Sequence, residues 1–415
     1  MAWGLGYGDD PGAPQLTPAN FSTQRLRRMH DVVAGHVERG DVPGLVGLVS
    51  RRGEVHVEAI GVQTAGGRHI KRDSLFRIAS MTKPVTAAAT MILVEDGLVR
   101  LDEPVDRLLP ELAGRRVLKA VDGPLEETVP ANRPITVRDL LTFTLGYGYL
   151  FSDRPFPIHE ATARLGLGAG PPRPSDKPAP DEYMRRLGTL PLLYQPGERW
   201  LYNVGAEVLS VLIARASGRT FDAFLKQRLF EPLGMDDTGF VVPPSSVDRL
   251  TTAYQRNPVT GAIDVFDPSE GSDWTRSPAF PNGAAGLVST VDDYLAFAAM
   301  LMNLGRHGKE RILSRPSVEL MTTDQLTAEQ KAQSGLGPDF FADHGWGSCL
   351  YIVTGRTQLQ SVGSYGWNGG LGSAWDSDPR EEMITILLTN KLWDSPKPPP
   401  VFTDFATQAY AAIDD

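Results

Sequence analysis

Ser80 and Lys83 stand three residues apart in Phe76-Arg77-Ile78-Ala79-Ser80-Met81-Thr82-Lys83-Pro84-Val85, the sole Ser-x-x-Lys of the chain. An apolar stretch with helical character follows, from Ala87 to Leu98. A helix that starts near Ser80 places both side chains on one face, within reach of each other. A serine hydroxyl is a weak nucleophile until a base takes its proton. A lysine can be that base once desolvation lowers its pKa. The helix start favours negative charge on the serine oxygen, and Pro84 fits a first turn that needs no donor. The pair therefore offers a Ser-Lys route to an acyl-serine. Taken by itself, the same pattern also describes an ordinary helix start, with the serine as cap and the lysine in water.

Acyl chemistry needs two more parts: a proton carrier for the leaving group and donors for the oxyanion. Tyr202 is the candidate carrier. It lies in Pro196-Gly197-Glu198-Arg199-Trp200-Leu201-Tyr202-Asn203-Val204-Gly205, at the mouth of an apolar helix. A tyrosinate there requires a cationic neighbour, and Lys83 qualifies. The bland alternative is a half-buried aromatic bonded to a carbonyl. The candidate oxyanion element is Tyr365-Gly366-Trp367-Asn368-Gly369-Gly370-Leu371-Gly372-Ser373, whose glycines let backbone N–H groups approach a ligand. A Gly-rich turn between strands reads the same way.

These residues need a scaffold. An amphipathic helix is expected from about Thr17 to Gly40, with Leu26, Met29, Val32, Val33 and Val37 at helical spacing. Two strands follow, Gly44 to Ser50 and Val55 to Val62, joined by a hairpin turn at Gly53. Ile135 to Thr142 begins a helix with Thr136 as cap. Val204 to Ser217 and Val291 to Leu304 read as apolar helices ending at Gly218 and Gly305, with Asp292 and Asp293 as helix-start charges. Leu165 to Pro180, rich in Gly and Pro, reads as a long loop at the mouth of the site. Strand patterns return at Ser348 to Val353, Leu371 to Asp376 and Met383 to Thr389, before a last helix from about Val401 to Ile413. Strands at both chain ends and helices between them predict an α/β (α+β) fold. Its antiparallel sheet, flanked by helices, comes from 17–85 and 285–415. A mainly helical subdomain, 86–284, is inserted, with the cleft between the two.

Composition narrows the function. The chain has 415 residues, enough for a large core. A net charge of −9 argues against a nucleic-acid partner, which would want a basic face. Arginine greatly outnumbers lysine, so Lys83 is one of few lysines. The single cysteine, Cys349, excludes an internal disulfide framework and is expected as a small buried group in a strand. No stretch reaches the ~18 apolar residues of a membrane span. The N-terminal residues lack the basic and apolar regions of a signal peptide, so a cytoplasmic location is expected. Gly-x-Ser-x-Gly does not occur, and His159-Glu160 has no histidine at residue 163, so neither an α/β-hydrolase elbow nor a zinc site is indicated. No cofactor is expected.

Ser80-Met81-Thr82-Lys83, Tyr202-Asn203-Val204-Gly205 and Trp367-Asn368-Gly369-Gly370 come in an order and spacing that resembles the class C β-lactamase superfamily. Leu101-Asp102-Glu103-Pro104-Val105, Glu231-Pro232-Leu233-Gly234-Met235, Ala285-Gly286-Leu287-Val288-Ser289-Thr290 and Asp378-Pro379 match as well, so the resemblance runs from about Phe21 to the last helix. It implies an α/β sandwich with an all-α domain. It also implies Ser80 as nucleophile, Lys83 and Tyr202 sharing base and acid roles, and the Ser80 and Gly370 N–H groups as oxyanion donors. Two departures matter. Val204 replaces the asparagine of Tyr-x-Asn, and Trp367 replaces the lysine of Lys-Thr-Gly, where amide and carboxylate groups of the substrate are usually read. With Asn368 and Gly369 these residues line the implied substrate site. The pattern looks most like family VIII carboxylesterases and implies a neutral small-molecule ester. β-Lactamase, D-amino-acid peptidase or acyltransferase activity is the alternative, and a binding module that kept the fold a third. Lys391 in Thr389-Asn390-Lys391 is read as a surface lysine that could partly replace the lost cation. In Leu140-Leu141-Thr142-Phe143-Thr144-Leu145-Gly146 the usual family run is altered.

Overall fold

A seven-stranded antiparallel sheet is assembled from both ends of the chain. Its strands are β1 (Gly44–Arg51), β2 (Glu54–Gly61), β3 (His344–Trp346), β4 (Tyr351–Val353), β5 (Tyr365–Gly369), β6 (Ser373–Asp378) and β7 (Met383–Thr389), in the spatial order β3-β4-β5-β6-β7-β1-β2. The first and last strands of the sequence pair inside it, one strand in from the β2 edge, with Leu48 opposite Ile386. This is a computed structural model that describes residues 21–151, 154–334 and 339–415.

Period-2 side-chain placement divides β1 and β7 between two cores. Leu45, Val49, Met383 and Leu387 face α1 (Thr23–Glu38) and the last helix, Pro400–Ala411, together with Met29, Val33 and Phe405. Val46, Leu48, Ile386 and Leu388 face the opposite way, into a core shared with Phe297, Met300 and the helices of the middle of the chain. Both faces are covered, which is why these strands read as continuous apolar runs. Gly47 has no room for a Cβ larger than hydrogen beside the Phe405 ring. The mixed helix and antiparallel-sheet class is thus the one read from the sequence.

In the middle of the chain, α2 (Thr82–Glu95) packs against the helix Val204–Ser217, which also packs on the short helix Val137–Leu141. Both α2 and Val204–Ser217 are buried almost all round. Val137–Leu141 starts from a capping box: the Thr136 hydroxyl accepts from the Asp139 N–H, and the Asp139 carboxylate accepts from the Thr136 N–H. Among the described residues, no helix is long and apolar enough to cross a membrane.

The sequence reading needs correction at several elements. The first helix begins at Thr23; residues 17–20 lie outside the described residues. The expected strand Ser348–Val353 begins only at Tyr351, because residues 347–350 form the hairpin turn between β3 and β4. Cys349 sits in that turn at φ +59°, not in a strand. The strand expected at Leu371–Asp376 is displaced to Ser373–Asp378, since Gly370, Leu371 and Gly372 turn the chain and Gly372 has φ +103°. The loop from Leu165 ends in a helix, Pro180–Thr189, with Pro180 at its first position and Asp181 and Glu182 in its first turn. The hairpin Ala253–Arg256 and Ile263–Asp267 was not anticipated.

Candidate active site

Ser80 lies in a single 3-10 turn, Ala79–Met81, that leads into α2. Ala79 holds φ +43°, a left-handed conformation unfavourable for a residue with a Cβ. The end of β5 abuts this turn. Gly369 leaves no space for a side chain against the Ile78 carbonyl. The Ser373 hydroxyl donates to the same carbonyl at 2.9 Å. Gly370, one residue on, is exposed, and a Cβ there would meet nothing within 4 Å. The backbone just before Gly370 is therefore packed against the chain two residues before Ser80.

Lys83 is wholly buried. Its Nζ donates to Ser80 Oγ at 2.9 Å and to the Ala284 carbonyl at 2.6 Å. Desolvation drives its pKa from 10.5 to about 7, more than the nearby Glu207 carboxylate raises it. The amine also sits 4.6 Å from the centroid of the Tyr202 ring.

Tyr202 is set by two neighbouring segments. The Leu201 N–H donates to the Phe143 carbonyl at 2.8 Å, and the Tyr149 N–H to the Tyr202 carbonyl at 3.0 Å. Gly148 lets the backbones come this close; a Cβ there would strike the Leu201 and Tyr202 carbonyls. Asn203 then makes a γ-turn of the rarer hand, with φ +83° and ψ −58°, closed by the Val204 N–H on the Tyr202 carbonyl at 3.2 Å. The Asn203 amide donates to the Tyr149 hydroxyl at 2.9 Å, which fixes the turn from outside. The Tyr202 hydroxyl is hydrogen-bonded to Ser80 and accepts from Trp367 Nε1 at 3.0 Å. Burial outweighs both bonds and pushes the phenol well above its ordinary value. Tyr202 is accordingly a neutral phenol beside a lysine that readily gives up its proton.

The motif residues thus converge. Ser80, Lys83, Tyr202 and Trp367 share one hydrogen-bonded cluster, and Gly369 lies against Ile78 at the start of the Ser80 turn. Trp367 is buried, and its one N–H is committed to Tyr202. Asn368 is half-buried on the other side of β5, and Val204 is buried as the first residue of its helix. Lys391 is not a surface lysine: it is 6% exposed and paired with Asp394 at 3.0 Å. With that partner it is no free cation for a substrate carboxylate.

Sequence reasoning missed several contributors. Phe143, at φ +60°, packs edge-on against Tyr202 and close to Trp200 and Trp346, so the altered residue of that run supports the tyrosine ring. Tyr149 and the Ala284 carbonyl were not anticipated either. The pair of tyrosines in Tyr147-Gly148-Tyr149 was the available signal for the first. A backbone carbonyl leaves none. Cys349 is buried against the Leu141 carbonyl at 3.4 Å, and burial pushes its thiol up, away from nucleophilic use.

The chain as a whole is similar to several known proteins. Residues 29–400 match the family model described as Beta-lactamase. Protein Rv1367c of Mycobacterium tuberculosis is 39% identical over 85% of this chain and 86% of its own length. Esterase EstB of Burkholderia gladioli is 30% identical over 93% of this chain and 94% of its own. Among solved structures, EstCE1, described as a hydrolase with promiscuous acyltransferase activity, superposes with a TM-score of 0.77. It is 25% identical and covers 94% of this chain and 98% of its own.

Proposed function

The chain belongs to the beta-lactamase family, and from that premise we propose that it is a serine esterase that cleaves short-chain carboxylic esters through an acyl-Ser80 intermediate. The observation that carries this reading is the 2.9 Å contact between Ser80 Oγ and a buried amine whose pKa falls to about 7. Near neutral pH that amine is substantially unprotonated and can accept the serine proton as the hydroxyl attacks. The N–H groups of Ser80 and Gly370 hold the developing oxyanion. Tyr202, a phenol within hydrogen-bond reach of Ser80, passes a proton to the departing alcohol and recovers it from the water that attacks the acyl-enzyme. Lys83, protonated by Ser80 in the first half-reaction, returns that proton to Ser80 Oγ as the acyl group departs, so both residues end the full cycle as they began. Val204 and the committed N–H of Trp367 leave an apolar wall where an anionic amide would need polar partners, which favours uncharged esters.

Acyl transfer to an alcohol is a second reading. An acyl-serine accepts either water or an alcohol, and EstCE1 is described as a hydrolase with promiscuous acyltransferase activity. The test is direct. Ser80→Ala is expected to abolish turnover of a short-chain nitrophenyl ester and covalent labelling by a fluorophosphonate. A label found by mass spectrometry on another serine overturns the assignment. Adding methanol in place of part of the water distinguishes ester exchange from hydrolysis.

A further inference from the structure

The Gly- and Pro-rich segment 165–179 leads into the helix Pro180–Thr189. It carries Lys177 inward, where Nζ lies 3.4 Å from Glu207 Oε1, with side-chain exposures of 14% and 2%. Glu207 is a carboxylate buried one helical turn after Tyr202. Its Oε2 accepts from the Tyr183 hydroxyl at 2.5 Å and its Oε1 from Asn282 Nδ2 at 3.1 Å. The other end of the same amide, Asn282 Oδ1, accepts from the Ala284 N–H at 2.7 Å. The Ala284 carbonyl in turn holds the Lys83 amine. Polar contacts on either side of the Ala284 backbone therefore link the segment to the amine beside Ser80.

We propose that Lys177 is a positioning residue for the Ser80 chemistry, acting through Glu207, Asn282 and the Ala284 carbonyl on the Lys83 amine; this rests on the esterase reading above. The reason is electrostatic as well as geometric. Glu207 without a cation is a buried negative charge facing Lys83, and it favours the ammonium that cannot act as base. Lys177 neutralises that charge, so the carboxylate can orient Asn282 without holding the proton on Lys83. Tyr202 and Cys349 also face Lys83, and Tyr147, Tyr149 and Tyr183 face Glu207. Burial raises all five, so they stay neutral through the pH range concerned. Burial raises the Glu207 carboxyl, but Lys177, Tyr183, Asn282 and Lys83 together lower it by more, so it stays ionised while Lys83 titrates in its field.

The experiment is the rate of Ser80 labelling by a fluorophosphonate from pH 5 to 9, in wild type, Lys177→Met, Lys177→Arg and Glu207→Gln. Lys177→Met is expected to move the acid limb to higher pH and to slow labelling at pH 6 by about 3- to 10-fold, a shift of up to ~1 pH unit. Lys177→Arg keeps the wild-type limb. Glu207→Gln moves the limb the opposite way. A merely structural role would lower the plateau and the melting temperature and leave the midpoint in place, and that result overturns the proposal. Should Lys177→Met fail to fold, an unmoved limb in Glu207→Gln overturns it equally. Wild type that does not label at Ser80 refutes the esterase reading itself, whereas wild type that labels with an unmoved limb in both variants refutes only the role of Lys177.

Discussion

Replacing Lys83 by methionine should stabilise the protein at pH 6 relative to pH 10 while removing its activity. In the folded chain the ammonium is disfavoured by complete burial, and its pKa falls from 10.5 to about 7. Between those two values the unfolded chain binds the proton and the folded chain does not, so wild-type stability rises with pH across that window. At pH 6, below both values, the folded protein bears nearly the full cost of the buried charge, ~5 kcal/mol; at pH 10 only ~1 kcal/mol remains. Methionine keeps the length and carries no charge, so it is insensitive to this titration. It also leaves the Ala284 carbonyl and the Ser80 hydroxyl without the amine, a loss of ~1–3 kcal/mol that is the same at both pH values. The difference between the two measurements is therefore the informative quantity: about 4 kcal/mol in favour of the variant at pH 6. Urea unfolding of wild type and variant at pH 6, 8 and 10 measures it. Equal effects at all three pH values would mean that the lysine is not desolvated in the fold, and the case for an amine base at neutral pH would fail with it.

The same titration governs catalysis: kcat/KM on an uncharged ester should fall about tenfold per pH unit below an apparent pKa near 7, and a flat profile down to pH 5 would remove Lys83 as base. Lys83→Arg and Tyr202→Phe should each lose at least ~10²-fold in kcat/KM, and the double variant little more, because each group is idle without the other; additive losses would separate their roles. Trp367→Phe keeps the apolar wall and deletes the N–H on the Tyr202 oxygen, so kcat should drop several-fold with KM nearly unchanged, whereas a rise in KM alone would make Trp367 a substrate contact only. Thr136→Ala removes the capping hydroxyl of Val137–Leu141 and should lower stability by about 1 kcal/mol in denaturant unfolding without altering kcat/KM.

What the sequence revealed divides along range of interaction. The Ser80–Lys83 pair was legible because three residues in one turn decide their own distance. The two-sided cores were legible as apolar runs at both chain ends, and Met383–Thr389 was located to the residue. The meeting of Tyr202 with Trp367 joins residues 165 positions apart, and only the resemblance of the whole motif series brought them together. Local pattern misled where a distant partner decides. Lys391 follows a strand and reads as surface, yet the neighbouring Asn390 carbonyl and Leu392 N–H are bonded to the Tyr254 backbone, and its buried side chain is paired with Asp394. Cys349 reads as part of an apolar strand, yet its N–H is taken by the Leu141 carbonyl and the chain turns there. Glu207 looks like an ordinary helix carboxylate until Lys177, Tyr183 and Asn282 close around it.

Four of the described residues that carry a Cβ at positive φ surround one small volume: Ala79 before the serine, Phe143 against the Tyr202 ring, Asn203 after the tyrosine, and Cys349 beside Lys83. Each such conformation stores on the order of 1 kcal/mol or more, held in place by the packing around it. As the enzyme warms, these turns have the most to gain from letting go. Loss of activity should then precede global melting, with residual rate falling several degrees before tryptophan fluorescence reports unfolding. Heat tolerance of the catalyst would consequently be limited by the grip on its turns and not by the size of its core, so stiffening the Phe143–Tyr149 and Leu201–Val204 segments is the route to a longer working life, and enlarging the sheet packing is not.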